Sequence, residues 1–337
     1  MTALLYILLA IIIGIAIWQI TSIFNLKGVI ATERDNNTQG IIFAVFGIFF
    51  YGLMIFSFWK YSVILLPESA SVEGVRYDNL YMVTMLVILF VQAVTQFILF
   101  YFAFKYRGIK DRKALFYADS YKLEMIWTIV PAVVLAGLVL YGLSVWNDVM
   151  DSSDAENPLI IEVYAKQFQW EARYAGSDNE LGRGNVRNIK GINTMGVDMT
   201  DKNSLDDIPT RELHLPKGRQ IIFKFRSQDV LHSAFMPHFR AQMNCVPGMV
   251  TQFSFTPSMT TLEMRANEKT IAKVAGINKI RTEKGEDPYE FDYLLLCNKI
   301  CGASHYTMQM KIIVQEEAEF NSWLSSQKTM AEVVQEN

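Results

Sequence analysis

The sequence predicts two unlike parts: a helical membrane anchor of four spans, followed by an all-β head outside the membrane. Three observations carry this. Of 31 basic and 34 acidic side chains in 337 residues, only 19 fall in residues 1–150; a soluble domain runs near one charge in four, as the remaining residues do. Residues 1–26, 36–59, 79–104 and 125–147 carry no charged side chain at all, and each approaches or exceeds the roughly 20 residues that cross a bilayer core. From residue 159 the pattern changes to short alternating or β-branched runs broken by Gly, Pro and Asp, the signature of strands. The net charge of −3 excludes a nucleic-acid binder held by phosphate contacts. Three cysteines, all beyond residue 244, exclude a disulfide scaffold.

The first span lacks a basic flank and a small-residue cleavage site, because Trp18, Gln19 and Ile20 follow its apolar run. It therefore reads as a retained helix and not as a signal peptide. Between the third and fourth spans stand Lys105, Arg107, Lys110, Arg112, Lys113 and Lys122, a cytoplasmic signal by the excess of positive charge on inner loops. The loop after the second span holds only Lys60 and Arg76 against Glu68, Glu73 and Asp78. The N-terminus and residues 148–337 are thus expected on the outer side, the periplasm of a bacterium, with the chain multi-pass in the inner (cell) membrane. The fourth span opens Tyr121-Lys-Leu-Glu124-Met-Ile-Trp127-Thr128-Ile-Val-Pro131. Trp127 suits the interfacial belt, and Glu124 by itself reads as a solvated helix-start carboxylate favoured by the macrodipole.

In the head, Leu159–Tyr164, Gln220–Phe225, Val250–Phe255, Tyr293–Leu296 and Met310–Val314 read as strands of a β-sandwich or barrel. Residues 175–210 are Gly, Asn and Asp rich and read as a long loop; residues 264–290, which carry Glu268, Lys269, Lys273, Lys279, Arg281, Glu283 and Lys284, read as containing a helix with a solvated face. The chain divides in this reading into two N-terminal helices (1–60), a transmembrane hairpin (61–148), the head (149–325) with inserts at 175–210 and 264–290, and a tail (326–337).

The segment with chemistry is Cys297-Asn-Lys299-Ile-Cys301-Gly-Ala-Ser-His305-Tyr-Thr-Met308: two thiols, one imidazole and one thioether within twelve residues. One loop joining two strands can fold these around a point, and soft sulfur with imidazole suits copper. A second imidazole must come from elsewhere, and His232 in Asp229-Val-Leu-His232-Ser, just after an expected strand, is the best placed. The same thiols and a histidine could instead make a structural zinc site; Met308 tips the balance, since zinc has little use for a thioether.

From about residue 79 to 324 the chain resembles subunit II of haem-copper cytochrome c oxidases. The resemblance rests on C-x-x-x-C-G-x-x-H-x-x-M at Cys297–Met308, on Glu124…Trp127-Thr128…Pro131, Gln167-Phe168-Gln169-Trp170, Asp229-Val-Leu-His232-Ser, Pro247-Gly248 and Phe320…Trp323-Leu324. It implies a cupredoxin-like Greek-key barrel holding the dinuclear copper centre CuA. Cys297 and Cys301 would bridge both coppers, His232 and His305 would each bind one, Met308 would complete one coordination sphere and the Lys299 carbonyl the other. It further implies a role for Glu124 at the mouth of a proton channel. Phe168 and Trp170 would form the apolar patch that accepts electrons, the alternative being ordinary core aromatics.

The chain departs from the family pattern in places. Lys299 stands where the family has a glutamate that helps hold magnesium at the boundary with subunit I, so that ion is either missing or replaced in charge by the ammonium. Asn244 and Met249 stand where an acidic residue and an arginine are usual, and Phe168 where many members have tryptophan. His214 reads as a surface or satisfied histidine, His238 as a surface group or one beside the ligands, and Cys245 as a small buried hydrophobe.

The function this implies is that of the electron-accepting subunit of a proton-pumping oxidase. It would take electrons from cytochrome c, free or tethered, and pass them to haem in subunit I for reduction of dioxygen to water. Four histidines, all in the head, and no C-x-x-C-H motif leave haems to partner subunits. The two extra helices would bind a further partner such as a quinol:cytochrome c oxidoreductase in a supercomplex. The alternatives are a membrane-anchored copper-binding or assembly protein without electron transfer, a quinol oxidase subunit, which lacks copper ligands, and a module like that of nitrous oxide reductase.

Overall fold

The computed structural model describes residues 2–25, 32–62, 66–150 and 157–335. The chain forms two compact units, one of Met1–Val63 with Leu86–Trp127 and one of Ile64–Met85 with Thr128–Asn337.

Four helices follow one another in the anchor: α1 (Thr2–Asn25), α2 (Glu33–Tyr61), α3 (Val72–Lys105) and α4 (Tyr121–Met150). The last three are long and apolar enough to cross a membrane, and α1 is a 24-residue apolar helix. A capping box starts α2: the Asp35 amide donates to the Thr32 hydroxyl at 3.2 Å, and the Asp35 carboxylate accepts the Thr32 amide at 3.0 Å. Within the first unit, α2 meets α3 through its glycines. A Cβ at Gly47 would lie 2.7 Å from the Phe100 ring, and the Tyr51 hydroxyl donates to the Ala93 carbonyl at 2.5 Å. With little hydrophobic drive between helices in lipid, small residues that let backbones approach supply the contact. Pro131 sits inside α4.

The head is built from β1 (Leu159–Lys166), β2 (Gln169–Tyr174), β3 (Ile208–Thr210), β4 (Leu213–Pro216), β5 (Ile221–Ser227), β6 (His232–Met236), β7 (Ala241–Cys245), β8 (Thr251–Phe255), β9 (Tyr293–Cys297) and β10 (Gln309–Gln315). They form two five-stranded sheets, ordered β3-β2-β1-β5-β8 and β4-β10-β9-β6-β7. The pairs β1–β5 and β10–β4 run parallel and the others antiparallel, so the core of the head is a two-sheet β-sandwich, as the strand pattern predicts. Alternate residues of both sheets face one core, among them Ile161, Val163, Phe223, Phe225, Leu215, Leu295, Ile312 and Val314. Burying each such side chain contributes about 1.5–3 kcal/mol. Phe239 lies 4.7 Å from Phe255 and 4.8 Å from Tyr293 between ring centroids, joining the two sheets.

The expected strands are present, but β2, β6 and β7 had no clear pattern in the sequence. In β2 the reason is a charge network: Arg173 is buried, its Nε donating to Glu162 Oε2 at 2.6 Å and its Nη1 to Asp207 Oδ2 at 2.5 Å, while Arg226 also pairs with Glu162. Polar residues at core positions hide a strand from hydropathy. Burial works against the Glu162 charge, yet Arg173 and Arg226 outweigh it and hold the carboxyl below its ordinary range; at Asp207 burial outweighs Arg173 and pushes the carboxyl up to about 7. Residues 175–210 are mostly loop, with 3-10 turns at Val186–Asn188 and Lys202–Ser204, but their last three residues form β3 against β2. The second insert holds α5 (Thr261–Ala266) and α6 (Glu268–Glu283), and α7 (Glu317–Ser325) and α8 (Met330–Gln335) close the chain.

The first turns of α3 belong to the same unit as the head. Ser71 forms a bridge with Pro257, the Val72 amide donates to the Thr256 carbonyl at 3.0 Å, and the Glu73 carboxylate accepts the Thr256 amide at 2.8 Å. Arg240 grips both Asp78 carboxylate oxygens, at 2.7 and 2.8 Å. From α4, the Val149 carbonyl accepts the Ser254 hydroxyl at 2.8 Å.

Candidate metal centre

Three neighbouring strands of one sheet bring the donors together. β6 pairs with β9 so that Ala234 faces Cys297, and β9 pairs with β10 so that Leu296 faces Gln309. The start of β6, the end of β9 and the approach to β10 therefore meet at one edge, with the loop 298–308 folded over it. His232 opens β6, where the sequence had placed it after a strand.

The Sγ atoms of Cys297 and Cys301 stand 3.9 Å apart. His232 Nδ1 lies 3.8 Å from Cys297 Sγ, His305 Nδ1 3.6 Å from Cys301 Sγ, and Met308 Sδ 3.8 Å from Cys301 Sγ. The Lys299 carbonyl oxygen lies 3.2 Å from Cys297 Sγ. Ligand atoms of His232, Cys297 and Cys301 all fall within 4.8 Å of one another, a group that could hold a metal ion. Burial and the neighbouring Cys297 push the buried Cys301 thiol up to about 11. Cations placed between the sulfurs reverse that, since a coordinating thiol is deprotonated outright. A donor set of two thiolates, two imidazoles and a thioether fits soft, copper-type ions.

The imidazole of His232 is fully buried and its far nitrogen, Nε2, contacts Asp229 Oδ1 at 2.8 Å, which orients Nδ1 to the sulfur. Burial would raise the Asp229 carboxyl, but the Gln167 and Val230 amides and His232 together hold it below its ordinary range. Trp170 is buried, edge-on to His232 at 6.1 Å between centroids, and its Nε1 donates to the Met308 carbonyl at 3.4 Å. Half-buried Phe168 lies against the ligand loop, where a Cβ at Gly302 would come within 2.8 Å of its ring. The structure thus gathers His232, Cys297, Lys299, Cys301, His305 and Met308, with Phe168 and Trp170 beside them. Glu124 belongs to the other unit, in the first turn of α4.

His214 is buried and satisfied, its Nδ1 2.8 Å from Gln315 Oε1 and its ring stacked on Trp323 at 3.9 Å. His238 stands apart from the donors, edge-on to Phe291 and Tyr293, and burial pulls it down to about 4. Cys245 pairs with His232 across β6 and β7, and burial pushes its thiol up to about 12, so it behaves as an inert small hydrophobe. Sequence reasoning gave no role to Gln167, Asp229 or Gly302. All three lay inside motifs that carry the resemblance, Gln167 before Phe168, Asp229 three residues before His232 and Gly302 after Cys301, but nothing in the sequence said what they touch.

Residues 57–145 match the family described as cytochrome c oxidase subunit II, transmembrane domain. The alternative cytochrome c oxidase subunit 2 of Bradyrhizobium diazoefficiens is 36% identical over 234 residues, covering 68% of this chain and 73% of that protein. The cytochrome c oxidase subunit 2 of Thermostichus vulcanus is 24% identical over 292 residues, covering 79% of this chain and 80% of that protein. Among solved structures, the periplasmic domain of subunit II of the Bradyrhizobium japonicum cytochrome oxidase aligns with 50% of this chain and 91% of its own, at 19% identity and a TM-score of 0.29. With more than a third of positions identical across two thirds of its length to a named subunit 2, the chain belongs to the cytochrome c oxidase subunit II family.

Proposed function

We propose that this chain is the electron-accepting subunit of a proton-pumping cytochrome c oxidase, taking electrons from cytochrome c into a dinuclear copper site and delivering them to haem in subunit I. The observation that carries the reading is the convergence of five side-chain donors, with the two sulfurs 3.9 Å apart. Cys297, Cys301, His232, His305, Met308 and the Lys299 carbonyl would hold the two coppers. When bound, such a pair would supply one-electron chemistry.

The protein's own part is to hold these donors still. Complete burial of His232 keeps water from its ring, and Asp229 fixes which nitrogen faces the sulfur. The three paired strands fix the ends of the donor loop. A site that barely moves between charge states loses little energy to reorganisation when an electron arrives. Phe168 and Trp170, both against the ligand loop, form the apolar contact through which the electron comes in. Glu124 at the cytoplasmic end of α4 takes up protons toward subunit I. Subunit I, other oxidase subunits and a cytochrome c, free or tethered, are the partners this requires, with the haems in those partners. α1 and α2 are left to bind a further complex such as a quinol:cytochrome c oxidoreductase.

The test is copper quantification with electron paramagnetic resonance on the full chain in detergent. Two coppers per chain with a delocalised mixed-valence hyperfine pattern are expected. A single copper, or preferential zinc, overturns the reading.

A further inference from the structure

We infer that Gln167 is a positioning residue that clasps the ligand loop to the strand start carrying His232. This rests on the copper reading above and adds a residue to it. Gln167 lies in the two-residue turn between β1 and β2, more than 60 positions before any donor. Its side-chain Nε2 donates to the Cys301 carbonyl at 2.5 Å, and its own amide donates to Asp229 Oδ2 at 2.8 Å. The other Asp229 oxygen meets His232 Nε2 at 2.8 Å. One residue therefore joins the loop that holds Cys301, His305 and Met308 to the carboxylate that orients His232.

The ligand loop needs such a tie. Its internal hydrogen bonds are local turns, His305 amide to Gly302 carbonyl at 3.2 Å and Thr307 amide to Ser304 carbonyl at 3.1 Å. Its ends are held by Asn298 amide to Ser233 carbonyl at 2.9 Å and Cys297 amide to Met308 carbonyl at 3.1 Å. Cys301 sits midway between those ends, where Gln167 reaches it from the opposite sheet. Gly302 makes the approach possible: its φ of +147° and the 2.9 Å separation that a Cβ would have from Gln167 Nε2 leave no room for a side chain. A carbonyl held by an amide donor sets the direction of the peptide after Cys301, and with it the Cys301 Sγ relative to Cys297.

The experiment compares the parent full chain in detergent with Gln167→Leu and Gln167→Glu, both close in size and lacking the neutral amide donor, and with Gln169→Leu, at the first residue of β2, as a nearby control. In the metal-free proteins, amide hydrogen exchange over residues 298–304 is expected to speed up about fivefold in both Gln167 variants, the loss of one hydrogen bond, with β9 and β10 unchanged. In the copper-loaded proteins, release to a copper(I) chelator is expected to be on the order of tenfold faster, with an altered hyperfine splitting, as for lost outer-shell partners of metal ligands. Gln169→Leu is expected to match the parent in both. Unchanged exchange in the Gln167 variants overturns the clasp. A parent chain that takes up no copper pair overturns the proposed function instead, while the exchange measurement still decides the clasp.

Discussion

Gly302 is where one methyl group would do the most harm. Its φ of +147° lies where residues with a Cβ are strained, and that Cβ would stand 2.8 Å from the Phe168 ring. Gly302→Ala is expected to cost about 1–3 kcal/mol, read by denaturant unfolding, and to loosen bound copper in a chelator assay. His238 gives a pH signature of its own. Its folded value of about 4 lies below the ordinary 6.5, so the neutral ring contributes stability that is present above 6.5 and is lost as pH falls toward 4. Lys273 and Arg240, the charges facing it, act in the same direction as burial. His238→Leu is expected to flatten the decline in melting temperature between those pH values, an effect of up to about 3 kcal/mol. At this scale the donor set was legible because five of its six members fall within twelve residues. Gln167, Asp229 and Gly302 were not, since their roles exist only through contacts with segments distant in the chain or with a ring that sequence cannot place.

At the scale of elements, the least legible strand holds the largest electrostatic stake. β2 carries buried Arg173 between Glu162 and Asp207, and this trio ties β1 and β2 to the 175–210 insert. Arg173→Met removes one partner and leaves two buried carboxylates facing each other, so a loss of about 3–5 kcal/mol is expected in urea unfolding. Replacing Asp207 with Asn as well is expected to recover part of it. Asp207 by itself acts in the opposite sense to His238: its raised carboxyl contributes stability that is present below about 3.8 and is lost as pH rises through about 7. The strands that sequence did reveal, such as β1, β5 and β10, are those whose apolar residues alternate or run together. In the anchor, length and absence of charge were enough to find α2, α3 and α4. The pairing of α2 with α3 through Gly47 and Phe100 could not be read from hydropathy, which does not distinguish a lipid-facing position from a packed one.

For the molecule as a whole, the charge asymmetry between residues 1–150 and the rest already divided anchor from head. It did not show that the head's unit reaches back to take in the first turns of α3. Arg240, bidentate on Asp78, and Glu73 on Thr256 make those turns part of the head's hydrogen bonding. Asp78→Ala is expected to broaden the distance distribution between spin labels on the first turns of α3 and on β8, measured by double electron–electron resonance. A distribution as narrow as the parent's would show that the backbone bridges suffice.

The bridge between Ser71 and Pro257 has a bearing on how the chain is made. The ribosome delivers Ser71 long before Pro257, so the segment before α3 must wait without its partner until the head is synthesised. The head then completes itself around a piece of chain made much earlier. Fragments begun after α4 would lack that piece, and the order of synthesis becomes one of the conditions for folding.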